Sequence, residues 1–402
     1  MSGWFQTFQR SARLEWRYLV RSRWDQAVLV WLPLISIFML WWIFAAAQPE
    51  NIPIAVVDQD RSTESRTLIR MLDASRGIAV TMAPLSTLEA KNAIQAGTVY
   101  AVVTIPNDFS RNIKSSRSTP VNLMVNAQYG THSGIIQRDV RTAVGTFSAG
   151  VEQKVRLALG EPPEKIMANI RPLVVDAPFG FNITTNYQSF IAATLIPALL
   201  HVLATIAGAY SMGRELRDKT LRTRYRGSLK REFGTRRSYI GMISFMHGKM
   251  FWTFFCHTLW GAIFLSLITY YHAINPSSWW MCFIAYICLI SISLWLGVFL
   301  TAVPISLRMG LSATAIITAP SYAFSGMTFP LHLMPDGAQI IANILPLTHY
   351  LHVQVMLVDM KVSWQMVLPI VTGMAVANII LLLVANGFAY RALLNPQRWG
   401  GR

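Results

Sequence analysis

The stretch Ala27-Val28-Leu29-Val30-Trp31-Leu32-Pro33-Leu34-Ile35-Ser36-Ile37-Phe38-Met39-Leu40-Trp41-Trp42-Ile43-Phe44-Ala45-Ala46-Ala47 contains no charged residue. A helix needs about 20 apolar residues to cross the hydrocarbon core of a bilayer. This run meets that length. It starts late in the chain for a signal peptide, is longer than an h-region and lacks a convincing small-residue cleavage site before Gln48-Pro49-Glu50, so it is expected to remain as an anchor. Five further apolar runs follow, at Ser189–Tyr210, Met250–Tyr271, Trp279–Val303, Leu311–Phe329 and Trp364–Phe388. The expected fold is therefore a polytopic α-helical membrane protein with six transmembrane helices.

Composition agrees. The 402 residues are 53% hydrophobic and only 13% charged, with a formal net charge of +16. Soluble domains carry about a quarter charged residues. An excess of basic residues on nucleic-acid-binding proteins serves the phosphate backbone, but in an apolar chain it serves sidedness. Segment 1–26, loop 211–249, Arg308 and tail 389–402 together hold 20 basic residues and five acids, whereas the rest holds 15 basic and 14 acidic. The positive-inside rule then places both termini in the cytoplasm, with no role for nucleic acid. Trp41, Trp42, Trp279 and Trp280 fall at the opposite ends, where indole rings anchor in the interface. Cys256, Cys282 and Cys288 all lie in apolar stretches, which gives neither a disulfide framework nor metal-ligand spacing.

The organisation read from these features is as follows. Residues 1–26 form a cytoplasmic amphipathic helix and 27–47 the first span. Residues 48–188 form an extracytoplasmic α/β domain inserted between the first and second spans. Residues 189–388 hold spans two to six, with the basic loop 211–249 inside and the loop 330–363 outside; 389–402 is a cytoplasmic tail. In the inserted domain, Ile52 to Val57 reads as a buried strand closing on Asp58, Ser62 and Thr63 as a helix cap, and 78–82, 99–105 and 121–125 as further strands. Ile136, Val140, Val144, Phe147, Val151 and Val155 recur at helical spacing and form one apolar stripe. That stripe packs either on its own sheet or on a partner subunit. Pro162, Pro163, Pro172 and Pro178 break the chain before the second span.

Chemistry is sparse. Asp58 and Asp60 sit at a strand end, where turn and cap roles suit them. His132 is the inserted domain's sole histidine. The six apolar runs contain no Asp or Glu, and coupling to an ion gradient usually needs buried ionisable groups. His201 and His257 do lie within them, a position suited to hydrogen bonding between helices. No G-x-x-x-x-G-K-[ST] loop is present, so ATP cannot be cradled in that manner on this chain. The small and proline-rich stretch Ala319 to Pro330 should be a broken or re-entrant helix, because unpaired backbone at membrane depth needs protein or a water cavity to cover it.

Together these residues resemble a known family, the permease subunits of type-2 ATP-binding-cassette exporters in their bacterial drug- or lipid-efflux branch. The opening Ile52-Pro53-Ile54-Ala55-Val56-Val57-Asp58-Gln59-Asp60-Arg61-Ser62 is similar to that family's strand and D-x-D-x-S turn. Ser325-Gly326 to Phe329-Pro330, then Met334-Pro335 and Leu345-Pro346-Leu347-Thr348, is similar to its S-G-x-x-x-P, M-P and L-P-x-T signature. The family's E-x-E-x-G-T-L-E loop is only partly kept: Glu215 and Thr220-Leu221 are present, while Lys219 stands for the Gly and Arg222 for the final Glu.

The resemblance implies half a transporter in the bacterial inner membrane. A second permease copy or a sister permease would pair with this chain on two separate ATPase subunits, which would carry ATP and Mg; this chain would carry no cofactor and no catalytic residue. Glu15, Arg214, Glu215, Arg217, Asp218 and Thr220 would couple to the ATPase. Phe190, Pro197, His201, Phe324, Ser325, Gly326, Phe329 and Pro330 would line the path. The outer domain would cap the exit or meet a periplasmic adaptor, and the cargo would be hydrophobic or amphipathic. Two competing readings are a carrier driven by an ion gradient and a non-transporting sensor or scaffold with a ligand-binding outer domain.

Overall fold

A computed structural model describes residues 2–46, 49–115, 117–162, 186, 188–229, 238–272 and 274–399. Pro163, Pro172 and Pro178 lie outside the described residues. The chain divides into two compact units: Met1–Ala47 with Gly180–Arg402, and Gln48–Phe179.

The first unit is helical. Helix α1 (Ser2–Leu19) is followed by α2 (Arg23–Ile43), whose stretch Ala27–Trp31 is π-helical. After the second unit come α7 (Phe190–Arg217), α8 (Leu221–Ser228), α9 (Tyr239–His272), α10 (Pro276–Ala302) and α11 (Leu307–Thr318). A 3-10 stretch, Ala319–Ser325, leads to α12 (Asp336–Ile344), α13 (Pro346–Val358) and α14 (Trp364–Leu394). Among the described residues five helices, α2, α7, α9, α10 and α14, are long and apolar enough to cross a membrane.

The span count departs from the sequence reading at the fifth position. Residues 311–329 do not form one helix. α11 has only 12 residues, and the chain tightens at Ala319, where Pro320 removes a backbone donor. Gly326 then takes a left-handed φ of 85° and ends the segment. The segment 330–363, read as the outer connection between two spans, is largely helical. Its α12 and α13 meet at an angle of 82° across Leu345-Pro346, and they raise the count to six if taken as one broken span.

α7 and α10 are the most closely packed pair, and the sequence shows why. Gly208 on α7 and Gly297 on α10 each face the other helix's backbone. A Cβ at Gly208 would lie 2.2 Å from the Leu294 carbonyl oxygen, and one at Gly297 would lie 2.1 Å from that of Thr205. Small residues let membrane helices approach to backbone contact, where dispersion and weak polar contacts replace the missing hydrophobic drive. Between α10 and α11 the chain reverses in residues 303–306. Ile305 there is buried and has a φ of 56°, a strained value for a β-branched residue.

The second unit is a four-stranded sheet of β1 (Ile52–Asp58), β2 (Ile78–Met82), β3 (Ala101–Ile105) and β4 (Asn122–Val125), in the order β2-β1-β3-β4. The first three strands are parallel and β4 is antiparallel to β3. β1 is central and apolar on both faces, as a strand covered on both sides must be. Ile52, Ile54 and Val56 face a core with Leu68, Leu72, Ile136 and Val140, while Ala55 and Val57 face a smaller one with Ala90 and Ala93. The covering helices are α3 (Thr63–Asp73), α4 (Thr87–Gln95), the short α5 (Phe109–Lys114) and α6 (Gly130–Ala158). α5 had no sequence signal of its own. The stripe on α6 divides: Ile136 and Val140 are buried on the sheet, and Val151 and Val155 continue past it.

Gly297→Leu should cost about 3 kcal/mol or more, because the new side chain meets backbone and not a movable side chain. The expected readout is a large fall in monodisperse yield and in thermal midpoint in lipid nanodiscs, with Gly145→Leu on an open face as the tolerant control.

Candidate functional site at the basic ends of the helices

α1 is held lengthwise on α9 by three hydrogen bonds. Ser11 Oγ donates to the Phe245 carbonyl (2.7 Å), Ser244 Oγ to that of Trp4 (2.6 Å), and Trp252 Nε1 to that of Ala12 (3.1 Å). Gly248 makes the approach possible, since a Cβ there would sit 2.3 Å from the Phe8 carbonyl oxygen. One turn beyond Ser11, Glu15 is thereby turned inward and is 1% exposed. α7 runs seven residues past Tyr210, to Arg217, and so brings Arg214 and Glu215 to the same place, while α9 contributes Lys249. Asp25 stands in the first turn of α2, with Ser22 capping that turn.

These groups form one closed network. Lys249 Nζ donates to Glu15 Oε2 at 2.8 Å and to Glu215 Oε1 at 2.7 Å. Arg214 donates through Nη2 to Glu15 and through Nη1 to Asp25 Oδ1 at 3.2 Å. Arg224 of α8 lies 2.9 Å from Glu215 Oε1. Ser211 Oγ donates to Glu15 at 3.2 Å, and Thr220 Oγ1 to Glu215. The Arg214 guanidinium also covers the Tyr18 ring at 3.8 Å. Three carboxylates thus face three cations, and the buried charge cancels.

An isolated buried charge costs several kcal/mol, so this arrangement persists only as a complete set. The carboxylates are filled by the protein's own cations, and among the described residues no three His, Cys, Asp or Glu stand together as a metal site.

The turn from α7 to α8 depends on Lys219, whose φ is 58°. This is the position where the resembled motif carries Gly, and the backbone explains that preference, because a left-handed φ is strained for any residue with a Cβ. The Thr220 amide donates to the Glu215 carbonyl at 3.0 Å and closes the turn.

Of the six residues read as coupling residues, the fold brings Glu15, Arg214, Glu215 and Thr220 together. Arg217 and Asp218 are not in the network. They are exposed and paired with each other, with Arg217 Nε 2.8 Å from Asp218 Oδ1, which holds the Asp218 carboxyl below the usual range. Asp25, Lys249 and Arg224 belong to the network and were not singled out. A signal existed for Lys249, a lone lysine directly before the apolar run Met250–Tyr271, where a positive charge also reads as a topology marker.

The residues read as path-lining lie on α7 and on the stretch from Phe324 to Pro330. Pro197 and His201 are enclosed within the bundle, and His201 Nδ1 lies 2.6 Å from Ser293 Oγ on α10. Phe190 and Phe329 present half-exposed rings, and Pro330 is exposed. Phe324 is half-buried, and buried Ser325 donates to the Tyr322 carbonyl at 2.6 Å beside left-handed Gly326. Tyr322 meets Thr194 of α7 at 2.8 Å. In the second unit, Asp58 accepts from the Asp60 and Arg61 amides at 3.1 and 2.9 Å and from Ser65 Oγ at 2.7 Å, which is turn chemistry.

Long apolar helices whose basic ends are gathered by buried ion pairs define a multi-pass membrane protein. More particularly, the chain belongs to the ABC-2 family of transporter proteins, whose pattern matches residues 24–393. It is also 23% identical over 209 residues to the probable multidrug ABC transporter permease YbhR of Escherichia coli K12, and equally to that of strain O157:H7. The match spans 52% of this chain and 53% of each relative, about half their length.

Lys249→Met leaves two buried carboxylates without their bridging cation and should cost about 3–5 kcal/mol. Adding Glu15→Gln should cost less than the sum of the two single changes by about 1–3 kcal/mol, read as thermal midpoints in nanodiscs. Lys219→Gly should do the opposite and stabilise by about 1 kcal/mol in the same assay, because it relieves the left-handed turn.

Proposed function

We propose that the chain is the permease subunit of an ATP-driven exporter. In this reading it is half of the transmembrane part, paired with a second copy or a sister permease and seated on two ATPase subunits in a bacterial inner membrane. Its basic helix ends and both termini face the cytoplasm. The second unit faces the periplasm, where it caps the exit or meets an adaptor. ATP and Mg, bound on the partner, supply the energy of closure.

The observation that carries this reading is the charge-balanced network of Glu15, Asp25, Arg214, Glu215, Arg224 and Lys249. It joins α1 and the short α8, the two pieces placed to receive a push, to α2, α7 and α9. α8 is tied to the bundle by its buried Leu221 and Tyr225, the latter edge-on to Phe245 of α9, and by Arg224 on buried Glu215, so a displacement of α8 is not taken up within α8 alone. It therefore passes to the helices. Movement of α7 against the broken segment Ala319–Ser325 and α13 would alternate access to the path. The exposed Arg217–Asp218 pair is the face offered to the ATPase.

A hydrophobic or amphipathic cargo fits the largely apolar spans. The word multidrug in the name of the Escherichia coli relative supports the same class.

The test uses the exposed pair, since Glu215 is fully buried and its reversal would damage the fold itself. Asp218→Lys should leave the thermal midpoint unchanged, yet reduce co-purification with a P-loop ATPase and ATP-dependent efflux of a lipophilic dye at least fivefold. Efflux that survives loss of the ATPase but stops with a protonophore would overturn the proposal in favour of an ion-driven carrier. Unchanged export in cells lacking the chain would favour a sensor or scaffold.

A further inference from the structure

Between the end of α1 and α8 lies a cleft of about 480 Å³ that shares only Arg224 with the buried network. Leu14, Arg17, Tyr18, Arg21, Ser22 and Arg224 line it. The first four recur at helical spacing, so they share one face of α1 and of the turn that ends it. The Arg21 amide closes that turn on the Tyr18 carbonyl at 3.0 Å. Arg224 reaches in from α8, its guanidinium 5.2 Å from the centre of the Tyr18 ring.

The charge here is of one sign. Three guanidinium groups line the cleft and no carboxylate does. Arg224 is answered by Glu215 behind it, inside a network whose three acids are already matched by three cations. Arg17 and Arg21 stand outside that balance. Both are exposed, and among the described residues neither makes an ion pair. Like charges four residues apart repel. Their convergence calls for an anion, and arginine takes phosphate oxygens through paired N–H donors.

Position selects the source of the phosphate. Ser22 directly precedes Arg23, the first residue of the apolar helix α2, and α8 starts shortly after α7 ends at Arg217. The cleft is therefore level with the ends of two membrane-spanning helices, where lipid headgroups lie and where basic pockets hold acidic ones. Trp16 and Trp24 are exposed on the adjoining turns, and indole favours that layer. Leu14, exposed in the lining itself, offers apolar surface that a free phosphate ion would not use.

We propose that this cleft binds the headgroup of an anionic phospholipid, with the phosphate on Arg17 and Arg21, Arg224 facing it from α8, and Leu14 against the glycerol. A zwitterionic head carries the same phosphate, but its amine would meet further guanidinium groups. The bound lipid bridges α1 to α8 from outside the network. The site requires that the helices cross a bilayer and requires no ATPase, so it stands or falls apart from the exporter reading.

The test is native mass spectrometry of the full chain released from non-ionic detergent and titrated with phosphatidylglycerol. Arg17→Gln with Arg21→Gln should weaken the first binding step about tenfold or more, since each arginine contributes about 1 kcal/mol toward an acidic lipid. Arg10→Gln with Arg13→Gln removes the same charge from exposed positions of α1 outside the cleft, and should change that step by no more than about twofold, because screening confines the effect to nearby charges. Both pairs should leave the thermal midpoint unchanged. Phosphatidylcholine should bind about tenfold more weakly than phosphatidylglycerol, and inorganic phosphate at equal concentration should not displace the latter. Equal losses in the two double variants would reduce the effect to a generally basic surface and overturn the proposal. So would equal binding of the two lipids, or displacement by inorganic phosphate. Loss of the lipid whenever a P-loop ATPase is bound would assign the cleft to an acidic segment of that partner instead.

Discussion

A charge removed from water must be answered, and this requirement organises one end of the helical unit. Glu15, Asp25 and Glu215 cannot remain ionised in an apolar bundle without Arg214, Arg224 and Lys249, and the cations need the acids equally. Six residues from five helices therefore fix each other's positions. Apolar packing alone would allow α1 to slide along α9, because one leucine contact substitutes for another. A lysine held 2.7–2.8 Å from two separate carboxylates does not slide. The network supplies register, and close packing supplies adhesion. The glycines at 208 and 297 perform the second task deeper in the bundle, where no charges are available.

The contrast with the second unit is instructive. Its sheet is built by the ordinary rules of a water-soluble fold, with β1 apolar on both faces and helices on either side. Its charged groups stay near the surface in local pairs, such as Lys114 with Glu64 at 3.0 Å. Such pairs contribute little, and the fold does not depend on them. The same residue types thus carry different consequences in the two units because the solvent around them differs.

What the sequence revealed follows from what is periodic. Long apolar runs marked α2, α7, α9, α10 and α14, and alternation or short apolar runs marked the four strands. The break in the fifth run was legible, because Ala319–Pro330 is rich in small residues and proline, and the structure ends α11 there in a 3-10 stretch; where the break falls against the membrane is not a matter of hydropathy. Residues 330–363 were read only as the outer connection between two spans; in the fold Pro335 and Pro346 each stand at a helix start, where a missing N–H costs nothing. The network was half legible. Glu15, Arg214, Glu215 and Thr220 were named through the family resemblance, while Lys249 read as an ordinary topology charge and Asp25 and Arg224 carried no signal of their own. Pairing across some two hundred residues has no period, so only the fold brings such partners together.

The tight reversal at residues 303–306 acts as a clasp. Four residues reach at most about 14 Å even when extended, so α10 and α11 stay neighbours at that end, and a motion of one is felt by the other through the bend that encloses buried Ile305.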